Sequence, residues 1–373
     1  MDGDRVFWGD LESEEFGTSS IDGLLELITP CIKGQSVSTF YHLMEKLKEA
    51  GVYEKISDEN PGFLIGLQSA LLAAVSHENK LSVAQTLAIE YAAEPFNPSS
   101  FNPSFRVPIY IEVHDAFASS ELFDQMLHRL PDGLGYSLTS QRIAESIGRE
   151  GQYLQRFVRE LARRVDLFST NLDYFPDFYI SLNGAFGQLI QSDPATHDTE
   201  VIRNIGKVLG NIIGLQIAAG DHLLFLEEPI LLSDPITQMG HLKLLGDMLA
   251  QRQKFGQTDG SPQLTARASR LRIETLKDYI EPRIVNCLRV DFLDMSDLDS
   301  LFRLFASMKS IPSPLLLAVP PRTSTRLTRL AAATALAFQV QALILNFDSG
   351  SDRQLTEVER CLNETSTEFR QST

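Results

Sequence analysis

Four acidic side chains lie in or at the ends of short apolar runs, where they could take part in chemistry. Leu224-Phe-Leu-Glu227, Lys254-Phe-Gly-Gln-Thr-Asp259 and Cys287-Leu-Arg-Val-Asp291 are three of these runs, and Glu112 lies within a fourth. Carboxylates bind hard divalent cations or transfer protons as general acids and bases. Without a cation, carboxylates that share one poorly hydrated site raise each other's pKa. Some would then stay protonated near neutral pH and act as general acids.

Other polar side chains near these runs extend the candidate site. Arg289 and Arg322 could keep a carboxylate ionised or bind an anionic substrate in bidentate fashion. Ser181, Asn183 and His114 follow apolar runs and are candidate substrate contacts. A purely structural role stays open for all of them, because buried carboxylates can simply pair with arginine or lysine.

The apolar runs alternate with helix-like stretches, which predicts parallel strands joined by helical crossovers. Polar groups at the carboxyl ends of such strands would meet at one mouth of a β/α barrel. The predicted strands are Val107–Val113, Leu134–Leu138, Phe178–Asn183, Leu223–Glu227, Lys254–Thr258, Ile284–Val290, Pro314–Val319 and Ala342–Phe347. Eight strand–helix units predict a (β/α)8 barrel, with a helix over 264–280 after the fifth strand.

A mainly helical region precedes the barrel. Ser38–Ala50, Gly62–Val75 and Ser82–Ala92 have helical patterns, and Arg5–Trp8 is a short strand candidate. The Asn- and Pro-rich stretch after residue 94 breaks the pattern. The sequence therefore predicts two domains, over residues 1–98 and 99–373.

The bulk properties exclude several classes of protein. The net charge of −16 argues against binding to nucleic acid, and the basic run Arg322–Arg329 suits one solvated helix face. Three widely separated cysteines predict neither a disulfide framework nor a zinc site. No signal peptide or membrane span is evident, so a cytoplasmic protein without membrane contact is expected.

The order and spacing of several motifs resembles methylaspartate ammonia-lyase, a branch of the enolase superfamily. The motifs are Gly9-Asp10, Gly66–Ala74, Val107–Tyr110, Tyr179–Gly187, Leu226–Pro229 and Asp259. The resemblance implies a capping domain, here truncated and mainly helical, before a modified (β/α)8 barrel of the TIM type, and a homodimer. It also implies Mg²⁺ held by carboxylates at the ends of strands 3, 4 and 5, with a lysine base ending strand 6 and a histidine from strand 2.

The sequence departs from that pattern at several of these places. Glu227 and Asp259 match two metal ligands, but Ser181 replaces the third, Asp291 replaces the lysine, and Tyr136 falls on or near the histidine. Losing one of three acids weakens a Mg²⁺ site, although Asp291 could restore the charge. By the same alignment, Arg289 and Glu112 stand where the family has glutamines.

We therefore expect an enzyme without a cofactor, with Mg²⁺ as an open possibility at Glu227 and Asp259. Glu227, Asp259, Asp291, Glu112 and Tyr136 would be catalytic in a metal-independent lyase, isomerase or cyclase reaction of specialised metabolism. The substrate would be a small organic molecule. The alternative is an inactive barrel, a pseudoenzyme that binds a ligand or another protein.

Overall fold

The computed structural model describes the chain in fifteen segments. They are residues 18–34, 39–59, 61–91, 106–114, 120–138, 151–170, 172–189, 198–232, 234–254, 262–268, 284–292, 297–308, 315–320, 323–346 and 352–371. The helices are α1 Thr18–Ile32, α2 Phe40–Glu49, α3 Val52–Glu59, α4 Pro61–Glu78, α5 Val83–Glu90, α6 Ser120–His128, α7 Gln152–Ser169, α8 Asp198–Ala219, α9 Pro235–Lys254, α10 Leu298–Met308, α11 Thr325–Phe338 and α12 Asp352–Gln371. The strands are β1 Ile109–His114, β2 Gly133–Ser137, β3 Asp177–Ser181, β4 Leu224–Glu227, β5 Gln263–Arg267, β6 Cys287–Asp291, β7 Leu315–Val319 and β8 Ala342–Asn346.

The eight strands form a closed parallel barrel in chain order, and β8 pairs with β1. The predicted fold class is therefore confirmed. Parallel strands that are covered by helices are buried on both faces, which explains their nearly continuous apolar runs. The carboxyl ends of β3 and β4 are level, since Ser181 pairs with Glu227. All strand carboxyl ends consequently meet at one mouth of the barrel.

The predicted position of the fifth strand is wrong. Helix α9 continues to Lys254, and β5 occupies Gln263–Arg267, at the start of the stretch for which a helix was predicted. Leu264 and Ala266 pack in the main core, while Arg267 faces the centre of the barrel. A five-residue alternation next to a helix-like stretch is too short to distinguish the two-residue period of a strand from the roughly 3.6-residue period of a helix.

Side chains inside the barrel alternate with those that face the helices. One buried cluster inside the barrel contains Tyr110, Tyr179, Phe225, Cys287, Leu316, Ala318, Ala342 and Ile344. Strand β2 contributes glycines here, because a Cβ atom on Gly135 would lie 2.8 Å from Glu112 Cα. The missing side chains let β1 carry Tyr110 and Glu112 towards the centre of the barrel.

The N-terminal helices dock on the outside of the barrel through buried polar contacts. Lys48 Nζ of α2 lies 2.6 Å from Asp299 Oδ2 of α10, and the Tyr91 hydroxyl donates to Asp299 Oδ1 over 2.5 Å. The backbone N–H of Leu298 donates to Gln68 Oε1 of α4 over 2.7 Å. Such contacts fix these helices against the barrel wall.

Some predictions on the N-terminal region fall outside the described residues. The strand candidate Arg5–Trp8 lies there, as does the division between residues 98 and 99, so both stay predictions.

Ser82 caps α5 as part of a capping box with Gln85. No helix in the described part of the chain is long and apolar enough to cross a membrane.

Candidate active site

The carboxyl ends of β4, β5 and β6 form a closed ring of alternating charges. Glu227 Oε1 accepts from Arg267 Nε at 2.9 Å and Nη2 at 2.5 Å, and Glu227 Oε2 accepts from Arg289 Nη1 at 2.9 Å. Asp291 Oδ1 accepts from Arg289 Nε at 2.9 Å, and Asp291 Oδ2 lies 3.5 Å from Arg267 Nε. We call these four residues the charge ring.

Glu112 of β1 joins the charge ring through Arg289. Both oxygens of Glu112 lie 3.1 Å from Arg289 Nη1, so this guanidinium serves three carboxylates. Gly135 on the neighbouring strand lets β1 approach closely, since a Cβ atom there would lie 2.8 Å from Glu112 Cα. Buried charges are tolerated when they are paired and hydrogen-bonded in this way.

The accessible surface of the charge ring lies on two residues. The side chains of Glu112 and Glu227 are 0% exposed and that of Arg289 is 4% exposed. Arg267 is 18% exposed and Asp291 is 11% exposed. Arg267 and Asp291 are therefore the least buried members of the charge ring.

The electrostatics of Glu227 contradict one expectation from the sequence. Burial by itself raises the pKa of Glu227, but the guanidiniums of Arg289 and Arg267 outweigh burial and hold the pKa below its ordinary value of 4.5. Burial lowers the pKa of Arg289, whereas Glu112 and Glu227 raise it by more, so the pKa ends well above its ordinary value. The prediction of mutually raised carboxyl pKa values is therefore wrong for Glu227.

Two neutral hydroxyl groups complete the environment of Glu227. Ser181 Oγ donates to Glu227 Oε1 over 3.2 Å, and the Tyr179 hydroxyl donates to Glu227 Oε2. Burial and then Glu227 raise the pKa of Tyr179 well above its ordinary value, so the phenol stays protonated and can donate. With two arginines and two hydroxyls around it, Glu227 has donors on both oxygens.

The structure places Tyr136 on the wrong side of its strand for the predicted catalytic role. Its ring lies 4.2 Å from that of Phe157 in α7 and 6.5 Å from that of Phe123 in α6, measured between ring centroids. Tyr136 therefore faces the helices, while Gly135 and Ser137 lie on the opposite face of β2. A shift of one residue along a strand exchanges its two faces, so the position on the inner face of β2 falls one residue away from Tyr136.

The predicted substrate contacts have different surroundings. His114 ends β1 beside Ser137 and is half-buried, on the face that also carries Glu112. Asn183 has φ 47° and donates from its amide to the carbonyl of Leu138, which ties two strand ends together. Arg289 is occupied by three carboxylates, so the structure does not support its predicted role as a substrate-binding fork.

Two predicted residues lie outside the described part of the chain, namely Asp259 and Arg322. The carboxyl-terminal residue of β5 is Arg267, so Asp259 does not hold the strand-end position that was assigned to it. Arg267 and Tyr179 belong to the site but were not among the predicted site residues. The available signal for Arg267 was the alternation Leu264-Thr-Ala-Arg267, and Tyr179 precedes Ser181 by two positions on the same strand face.

The residues at the ends of β3, β4 and β5 do not fit the Mg²⁺ site that the fold implies. They are Ser181, Glu227 and Arg267, so a single carboxylate stands among them, and both of its oxygens already accept from guanidinium groups. Mg²⁺ requires near-octahedral oxygen ligands, and a guanidinium next to it would repel it. Within the described segments, no group of three His, Cys, Asp or Glu side chains could hold a metal ion.

Solved methylaspartate ammonia-lyases and a dipeptide epimerase have the same closed barrel fold as this chain. The methylaspartase of Clostridium tetanomorphum, solved as a Mg complex, superposes with a TM-score of 0.74 at 17% identity, over 100% of this chain and 86% of that chain. The methylaspartate ammonia-lyase of Citrobacter amalonaticus gives a TM-score of 0.72 at 17% identity, over 96% of this chain and 80% of that chain. A dipeptide epimerase of Enterococcus faecalis gives a TM-score of 0.57 at 12% identity, over 92% of this chain and 81% of that chain.

The sequence itself is similar to Methylaspartate ammonia-lyase 1 of Carboxydothermus hydrogenoformans. The two are 24% identical over 233 residues, which make up 61% of this chain and 50% of the relative. The matched part of the chain thus spans about half the length of this curated relative. No protein-family model matches the chain. The resemblance to methylaspartate ammonia-lyase is confirmed, at the low identity of a divergent homologue.

Proposed function

We propose that the protein is an enzyme that moves protons on a small organic molecule, in a lyase, isomerase or cyclase reaction that needs no metal ion. The pairing of Arg267 with Asp291 carries this proposal, because these two are the least buried members of the charge ring. Relatives with the same fold are named as ammonia-lyases and epimerases, which supports this class of reaction.

Asp291 serves as the general base and then as the general acid. It ends β6, where the resemblance places the base of the family, and Arg289 Nε orients its carboxylate. A base positioned in this way contributes roughly a factor of 10²–10⁴ in rate. Arg267 stabilises the negative charge that develops on the substrate when the proton leaves, which is the task of a preorganised cation in a poorly hydrated site.

Solvent deuterium exchange tests this function without knowledge of the natural substrate. The full chain is incubated in D2O with a panel of small carbonyl and carboxyl compounds, and deuterium incorporation is followed by mass spectrometry. We expect incorporation with the natural protein, a loss of at least about 100-fold with Asp291→Asn, and partial retention with Arg267→Lys, which keeps the charge but not the fork.

Asp124→Asn is the matched control, because Asp124 is 61% exposed on a helix and lies 3.6 Å from Arg164 in a surface ion pair. Exchange that survives Asp291→Asn unchanged would remove Asp291 from the mechanism.

The alternative function is a barrel without turnover. The hydrogen bonds that already occupy Glu227 and Arg289 favour this alternative, since a buried ring of paired charges can serve stability alone. Absence of exchange with every compound, together with measurable binding of some of them, would favour this alternative.

A further inference from the structure

The charge ring and Glu112 carry more negative than positive charge. Three carboxylates, Glu112, Glu227 and Asp291, face two guanidiniums, Arg267 and Arg289. Glu228, the residue after β4, lies near enough to raise the pKa of Arg267 further. The described part of the barrel mouth thus holds an excess of negative charge, and the whole chain has a net charge of −16.

Neither arginine is available as an independent anion receptor. Arg289 is 4% exposed and engages three carboxylates through Nε and Nη1. Arg267 directs Nε and Nη2 to Glu227 Oε1. A substrate carboxylate on Arg267 would place a further negative charge beside Glu227 and Asp291, and like charges at such distances repel strongly away from bulk water.

If Arg267 and Asp291 perform the proton transfer proposed above, we infer that their substrate presents an uncharged carbonyl group. A carbonyl oxygen accepts a hydrogen bond from Arg267 without adding charge to the ring. The adjacent C–H group then faces Asp291, so donor and base act on neighbouring atoms of one neutral group. This differs from an amino-acid substrate, which brings carboxylate groups to the mouth.

The step balances without a co-reactant. An Asp291 oxygen takes the proton from the carbon next to the carbonyl, and the electron pair of the broken C–H bond forms a C–C π bond. The C=O π pair moves to the oxygen, where Arg267 stabilises the enolate. Return of the proton from Asp291 to carbon regenerates the carboxylate, and exchange of that proton with D2O labels the substrate.

Two probes that differ by one charge test this inference on the full chain. The 4-oxopentanoate anion and its methyl ester carry the same ketone, so the intrinsic acidity of the exchanging C–H bonds is closely matched. We expect kcat/KM for deuterium exchange to favour the ester by at least about tenfold, and added salt to narrow the difference. Equal or better exchange of the anion would overturn the inference and leave the proposed function intact.

Binding of the same probes, measured by saturation-transfer NMR, distinguishes a failure of the inferred selectivity from a failure of the proposed proton transfer. Preference for the ester without exchange would sustain the selectivity and refute the proton transfer. Preference for the anion, or binding of neither probe, would overturn the inference. Asp291→Asn removes one negative charge and should shrink the binding preference for the ester, whereas the exposed control Asp124→Asn should leave it unchanged.

Discussion

At the scale of single residues, Glu227 is the group on which the charge ring depends. It is fully buried and accepts from two arginines, one tyrosine and one serine. We expect Glu227→Gln to lower the free energy of unfolding by about 3 kcal/mol or more, because breaking a buried pair leaves guanidinium charge uncompensated. Urea denaturation measures the change.

The exposed variant Glu160→Gln is the control for that experiment. Glu160 pairs with Arg163 and Arg164 on the surface of α7, where water screens the pairs and such a change has little effect on stability. Similar losses in both variants would show that the buried ring contributes no more than a surface pair.

The pH dependence of stability also depends on Glu227. Its pKa in the folded protein is below the ordinary value of 4.5, so the folded state binds this proton more weakly than the unfolded chain does. The stabilisation is therefore fully present above the pKa of the unfolded chain and is lost as pH falls through the lower folded value. Between neutral pH and acid, the natural protein should lose more stability below pH 4.5 than Glu227→Gln does.

Denaturation curves at a series of pH values measure this difference. Parallel pH profiles for the two proteins would show that Glu227 has the same pKa in the folded and unfolded chains.

At the scale of the elements, strand β2 sets how closely the barrel wall packs around Glu112. A Cβ atom on Gly135 would lie 2.8 Å from Glu112 Cα and 2.9 Å from Glu112 Cβ. We expect Gly135→Ala to destabilise the protein by about 2 kcal/mol, because β1 must move or strain to admit the methyl group. Thermal unfolding provides the measurement.

Gly210→Ala is the opposite case in the same chain. Gly210 is an exposed residue of α8, and outside the backbone of its own helix nothing lies within 4 Å of the added methyl position, so alanine should stabilise the helix by up to about 1 kcal/mol. Equal effects of both changes would mean that the close approach of β1 and β2 has no energetic consequence.

Among the elements, the fifth strand shows where sequence analysis stopped being sufficient. The other strands were predicted within a few residues, because long buried runs and flanking helices give strong periodic signals. Gln263–Arg267 is short and borders a helix-like stretch, so its alternation was read as part of a helix. That error concealed Arg267 and assigned a strand-end position to Asp259.

At the scale of the whole molecule, we propose that Arg267 and Arg289 make the site independent of metal ions. We expect EDTA to leave both the melting temperature and any exchange activity unchanged, because guanidinium groups already occupy the oxygens of Glu227. A ligand that binds only the folded state raises the melting temperature with its concentration. A melting temperature that rises with added Mg²⁺ would contradict the proposal.

The homodimer and the cytoplasmic location that were expected from the sequence stay predictions at this scale. The described part of the chain shows no membrane-spanning helix. The small-molecule substrate is likewise a proposal and is not assigned from the curated relative, since the aligned residues make up only half of that protein.

By itself, the sequence determined the barrel and the polar character of its mouth, because hydrophobic periodicity and strand-end residues are local signals. It also predicted that the acids of a metal site are incomplete, although it assigned Asp259 to the strand end that Arg267 occupies. Tertiary structure alone decided that Arg267 and Arg289 neutralise Glu227, that Tyr136 faces away from the site, and that Arg267 and Asp291 are the least buried members of the charge ring. The reason is physical: the charge on a carboxyl group depends on neighbours from other strands, and a sequence does not specify which side chains meet across a barrel.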